Sequence, residues 1–170
     1  MARANALSFP LQILAFVLFF YPYLRIHGEM EVSSSANPAA ILPLAVVLFL
    51  VGLLAHEGLH AVGFRLAGRV PWKDIGFGFN RRALIPYTHC RVPVAARAFR
   101  VAGLLPAVIL GVVPGVMRVA AGNVWLTVWG ALFTAAASGD FLALWIIRGV
   151  PSSARVLDHP TEIGCTILPD

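Results

Sequence analysis

Ala55-His56-Glu57-Gly58-Leu59-His60-Ala61 sits near the end of an apolar run that covers roughly residues 39–67. How this stretch is read decides both the fold and the chemistry. On a helix, positions four apart share a face, so the His56 and His60 imidazoles can grip one Zn²⁺. Glu57 between them is placed to act as general base toward a metal-activated water. Such a set inside a segment apolar enough for a bilayer points to a protease that cuts within or beside the membrane.

The rest of the chain agrees with a membrane setting. Of its 170 residues, 59% are hydrophobic and 12% charged, and the mean hydropathy is +0.81. Soluble domains run at about 45–50% apolar and about 25% charged. The excess identifies an integral membrane protein. A net charge of +5 could suit nucleic acid, but the basic residues lie between apolar spans, where they orient a membrane protein against the cytoplasmic leaflet. No nucleic-acid partner is expected. Cys90 and Cys165 are too few for a disulfide scaffold and are expected reduced. The first apolar stretch lacks a small-residue cleavage site and runs into Tyr21-Pro22-Tyr23, so no cleavable signal peptide is expected.

Four apolar segments are visible, at roughly 7–24, 39–67, 94–121 and 123–148. The last three exceed the roughly 20 residues a span needs. Asn37-Pro38 supplies a start for the second and Gly68 a stop. Pro106 and Pro114 are expected kinks in the third. Between spans two and three, Arg65, Arg69, Lys73, Arg81, Arg82, Arg91, Arg97 and Arg100 face Asp74 alone, which places that loop in the cytoplasm. Both termini are then cytoplasmic. Within the loop, Ile75, Phe77 and Phe79 alternate with polar or small residues, Asn80-Arg81-Arg82 gives a turn, and Ala83, Ile85 and Tyr87 alternate again. This is a β-hairpin pattern. The expectation is one domain over 1–170: an all-α membrane protein of about four transmembrane helices with a short β-hairpin between helices 2 and 3. The tail beyond 151 reads as mostly irregular.

Glu57 and Asp140 are the acids inside the expected spans. A mid-helix acid costs about 2.5 to 3.5 kcal/mol, so each is a functional candidate whose partner should be named. That partner is Zn²⁺, with Asp140 as third ligand beside His56 and His60, and Glu57 as catalytic base. Counting 1.5 Å per residue, His56, His60 and Asp140 lie within roughly 7–14 Å of their cytoplasmic helix ends, so they can meet at one level. Two histidines, a carboxylate and an open fourth position make a catalytic zinc arrangement. Small residues (Gly58, Ala61 and Gly63 on span two, Ala135 to Gly139 on span four) would let the two helices approach. Ser138 is a candidate hydrogen-bond partner for the site.

Together these elements resemble a known family. The ordered set is His56-Glu57-Gly58-Leu59-His60, then Tyr87-Thr88-His89-Cys90 with Pro93, then Ser138-Gly139-Asp140, then Asp158-His159-Pro160 and Gly164. It resembles the zincin peptidases of small integral membrane proteins, over roughly residues 45–165, and these are similar to site-2 proteases, the intramembrane zinc metalloproteases. The resemblance implies His56, His60 and Asp140 as zinc ligands and Glu57 as base. Here Gly139 precedes the aspartate and Phe141 follows it, whereas site-2 proteases usually have Asp-Gly. The Tyr-Thr-His-Cys and Asp-His-Pro elements look like family markers, and His89 is a candidate for stabilising a tetrahedral intermediate.

The expected function is zinc-dependent intramembrane endoproteolysis, with a transmembrane or membrane-associated protein segment as substrate. The alternative is a non-catalytic zinc-binding membrane scaffold or regulator, with a fourth protein ligand from His89, Cys90 or His159. An ion transporter using Glu57 and Asp140 as a relay is a third possibility, weakened by the lack of paired broken-helix repeats.

Overall fold

The computed structural model describes residues 2–29, 37–81, 85–159 and 164–169. Arg82, Ala83 and Pro160, named above, lie outside them. Helix α1 covers Ala2–His27 and α2 covers Pro38–Ala67. The α2 boundaries follow from local chemistry. The Asn37 side chain accepts from the Ala39 N–H at 3.0 Å, and Pro38 sits where its missing N–H costs nothing. At the other end the Gly68 N–H closes on the Phe64 carbonyl at 3.0 Å.

After a single 3₁₀ turn at Trp72–Asp74, strands β1 (Ile75–Asn80) and β2 (Ile85–Cys90) pair antiparallel, with Ile75 opposite Cys90 and Asn80 opposite Ile85. Strand β3 is only Val94–Ala95 and leads directly into α3, Ala96–Pro106. A π-helical segment, Ala107–Val112, joins α3 to α4 (Val113–Ala121). It lies between Pro106 and Pro114, the expected kink sites; proline removes a ladder N–H and the helix rewinds around the gap. Helix α5 covers Val124–Ala136, capped by the Asn123 side chain on the Trp125 N–H, and α6 covers Ser138–Ile146. The tail strands β4 (Arg155–Asp158) and β5 (Cys165–Ile167) complete a second sheet in the order β3-β4-β5.

Three helical stretches are long and apolar enough to cross a membrane: Phe9–His27, Ala39–Ala67 and Ala96–Met117. Helices α5 and α6 make a fourth if the pair, bent by 41° at Ala137, counts as one span. The protein is mostly helical, with small antiparallel sheets, and is consistent with a multi-pass membrane protein. Large apolar side chains along α1 and α2, such as Phe9, Leu42, Leu44 and Leu54, point outward, as lipid allows. A buried apolar core lies where α2 ends. There Phe64, Ile75, Cys90, Val94, Phe99, Ala102, Ile147 and Val156 are buried together.

Three details differ from the sequence reading. The third span does not begin at 94, because Val94 and Ala95 are recruited as a strand by the tail, pairing with Val156 and Arg155. The tail accordingly carries two short strands, Arg155–Asp158 and Cys165–Ile167. The small residues also work differently from the sequence expectation. A Cβ on Gly58 or Gly139 would meet nothing, whereas one on Gly63 would lie 2.5 Å from Ala102 Cα. Glycine there lets α2 approach α3, not α6. Gly111 and Gly115 likewise face Thr134 and Phe19 inside the chain.

Candidate metal centre

The α2 turn from His56 to His60 presents a cluster of donors. One ligand atom each from His56, Glu57 and His60 lies within 4.8 Å of the others. The two imidazole centroids are 4.8 Å apart and their planes stand at 78°. Asp140, in the first turn of α6, touches both rings with separate oxygens: Oδ2 is 3.2 Å from His56 Nε2 and Oδ1 is 3.4 Å from His60 Nε2. Free N–H groups at a helix start favour a carboxylate in that turn. Residues 84 apart in sequence thus converge as the apolar-span argument required.

The donors fit zinc. His60 Nδ1 lies 2.9 Å from the Ala102 carbonyl oxygen. A carbonyl only accepts, so Nδ1 carries the hydrogen and Nε2 is the ring atom left to face Asp140 Oδ1 and available to a metal. Tetrahedral zinc with arms of about 2.0–2.1 Å sets its ligand atoms about 3.3–3.4 Å apart, which matches the 3.2 and 3.4 Å observed. The Ala102 carbonyl is the kind of outer partner that fixes a ligating histidine's tautomer. His56 Nδ1 is buried with no hydrogen-bond partner among the described residues.

Ser138 does not bond Asp140 here; its Oγ accepts from Gln12 Nε2 at 3.4 Å, tying α1 to the start of α6. The Thr88 hydroxyl donates to the Glu57 backbone carbonyl at 2.8 Å, seating β2 on the HExxH turn. Next to it, His89 Nδ1 lies 3.2 Å from Asp158 Oδ2, and the Cys90 N–H donates to the same oxygen at 3.0 Å. Burial pushes the Asp158 carboxyl above the usual carboxylate range, against the opposing pull of the Cys90 N–H and His89. Cys90 and Cys165 are both free thiols.

The family model described as "putative zincin peptidase" matches residues 49–155. The chain belongs to this family. Its cofactor is Zn²⁺, and membership supports a zinc metallopeptidase in general terms. No curated protein and no solved structure matches the chain. The family match runs from Phe49, within α2, to the first residue of β4, and so takes in His56, Glu57, His60, Thr88 and Asp140.

Sequence reasoning named the HExxH residues and Asp140. It left Thr88, Asp158 and Ala102 without roles. The first two stood in motifs whose partners were unknown, and a pairing 69 residues apart leaves no periodic trace. Ala102 acts through its backbone carbonyl, which no residue type advertises.

Proposed function

We propose that this protein is a zinc-dependent intramembrane endopeptidase of the site-2 protease type. The observation that carries the proposal is the Asp140 carboxylate shared between the His56 and His60 imidazoles, with Glu57 on the same helical turn, in helices apolar enough for a bilayer. His56, His60 and Asp140 are the proposed ligands. When bound, Zn²⁺ supplies a Lewis acid that polarises a peptide carbonyl and makes water nucleophilic near neutral pH. Glu57 takes the proton from that water at its carboxylate and returns it to the leaving amine nitrogen. The Ala102 carbonyl keeps His60 in the tautomer that offers Nε2 to the metal. Of the three candidates for a closing fourth ligand, two have other partners: His89 Nδ1 lies against Asp158, and the Cys90 thiol donates to the Val92 carbonyl at 3.3 Å.

The proposed substrate is a transmembrane or membrane-associated peptide segment, locally unwound because a helix hides its own carbonyls. The β1–β2 pair, a two-stranded sheet, offers an edge for such a strand to join by backbone hydrogen bonds. The arginine-rich flanks support an orientation with this pair and the metal centre toward the cytoplasm and both termini on the same side, the whole chain being read as one domain. Arg148 stacked 4.3 Å over the Trp145 ring suits an interfacial anchor at that level.

The test uses purified protein in liposomes with a single-span model substrate. The wild type should cleave it and hold stoichiometric zinc; Glu57→Gln should keep the zinc and lose cleavage by about 10²- to 10⁴-fold. Undiminished cleavage by Glu57→Gln, or native protein without zinc, would refute the mechanism.

A further inference from the structure

We propose that Thr88 and Asp158 are positioning residues that lock β2 onto the catalytic turn of α2 and so set which peptide bond reaches the metal. The inference rests on the endopeptidase reading above and concerns how that reading's substrate strand is registered.

The contacts form a closed circuit that begins and ends at the HExxH turn. His60 is bonded to the Ala102 carbonyl on α3. Helix α3 follows directly from β3, and β3 pairs with β4 through Val94 opposite Val156 and Ala95 opposite Arg155. Strand β4 carries Asp158, whose Oδ2 receives the Cys90 N–H and faces His89 Nδ1. Strand β2 then returns to α2 through the Thr88 hydroxyl on the Glu57 carbonyl.

Each bond in the circuit is specific. A helix carbonyl has two lone pairs, so the Glu57 oxygen can accept from Thr88 while α2 continues unbroken to Ala67. Side chains alternate along a strand, so Thr88 turns to α2 while its neighbour His89 turns the other way, to Asp158. Asp158 is itself largely buried, its side chain 15% exposed, so its two bonds act away from bulk water, where such bonds hold geometry best. A peptide added to this sheet would inherit the register of β2, and Thr88 ties that register to the residue proposed as the base.

The experiment compares Thr88→Val, which keeps the shape and removes the donor, with Thr88→Ser, which keeps the donor. It also compares Asp158→Ala with Asp158→Asn, whose amide oxygen can still accept. Zinc content, kcat and KM on the single-span substrate, the cleaved bond by mass spectrometry, and amide hydrogen exchange are read for each. Thr88→Val and Asp158→Ala should keep zinc, lose about ten- to a hundredfold in kcat with KM little changed, and spread cleavage to neighbouring bonds. Thr88→Ser and Asp158→Asn should restore most of the rate and the single cleavage position. Exchange over residues 55–61 and 85–90 should quicken in Thr88→Val.

If the wild type cleaves in a Glu57-dependent way and Thr88→Val cuts the same bond at the same rate, the inference is overturned and the endopeptidase reading stands. If the wild type shows no Glu57-dependent cleavage, that reading fails and exchange alone decides the coupling. Unchanged exchange at 55–61 in Thr88→Val overturns it, and faster exchange there supports it.

Discussion

His60 Nδ1 bonds the Ala102 carbonyl at 2.9 Å, and Gly63, one turn along α2 from His60, leaves no room for a Cβ against Ala102. The same close approach of α2 and α3 therefore packs the helices and orients a proposed ligand. Gly63→Ala should separate the helices, lower stability by about 1–3 kcal/mol as overpacking does, and weaken zinc binding by about 10- to 100-fold as loss of an outer ligand partner does. A melting curve and a competitive zinc titration on one preparation check both effects. Loss of stability with unchanged zinc affinity would separate packing from ligand orientation.

Asp140 joins α6 to α2 through both imidazoles. Asp140→Ala should lose zinc on dialysis against a mild chelator that leaves Glu57→Gln loaded. Elemental analysis of both variants distinguishes a ligand from a base. Asp140→Ala retaining one zinc per chain would remove Asp140 from the ligand set.

The two thiols differ in access but share a direction. Burial pushes both the Cys90 and the Cys165 thiol above the usual range, so each holds less thiolate at pH 8 than a peptide cysteine. Cys90 is fully buried and its thiol donates to the Val92 carbonyl. Iodoacetamide at pH 8 should label Cys165 slowly and Cys90 only after unfolding, as peptide mass mapping would show. Rapid labelling of Cys90 in folded protein would contradict this core.

Asp158 gives the fold a pH dependence. Its carboxyl is raised in the folded state by burial, so the folded protein holds that proton more tightly than the unfolded chain. The stabilisation this provides is complete below the ordinary carboxylate value of about 4 and is lost as pH rises through the raised folded value. Asp158→Asn, which stays neutral, should melt no lower than wild type at pH 7, and any gap should close toward pH 4. A variant melting point that falls further below wild type as pH rises would contradict the sign.

Much of this arrangement is legible locally. Asn37, Pro38 and Gly68 mark α2 because caps and stops are neighbour effects. His56, Glu57 and His60 announce themselves by spacing, and Asp140 by the cost of an acid in an apolar span. What was not legible depends on distant partners or on backbone. Strands β3 and β4 have two and four residues, too short for an alternating pattern, and exist because they pair with each other. The break at Ala137 falls in a run of small residues with no proline or cap to signal it. Thr88 reaches Glu57 and Asp158 reaches His89 only after the chain has folded.

The bend between α5 and α6 has a mechanical consequence. Helix α6 is a short strut braced at both ends. Asp140 meets the histidines at its start, and at its far end the Arg100 guanidinium grips the Ile147 and Val150 carbonyls. Helix α5 is fastened instead toward α1, where Phe19 fills the space over Gly130 and Gly115. With a joint between them, α6 takes its angle from the partners at its two ends and from the Gln12–Ser138 bond to α1, and not from the axis of α5. The carboxylate of Asp140 can therefore meet both histidines without α5 having to run straight into α2.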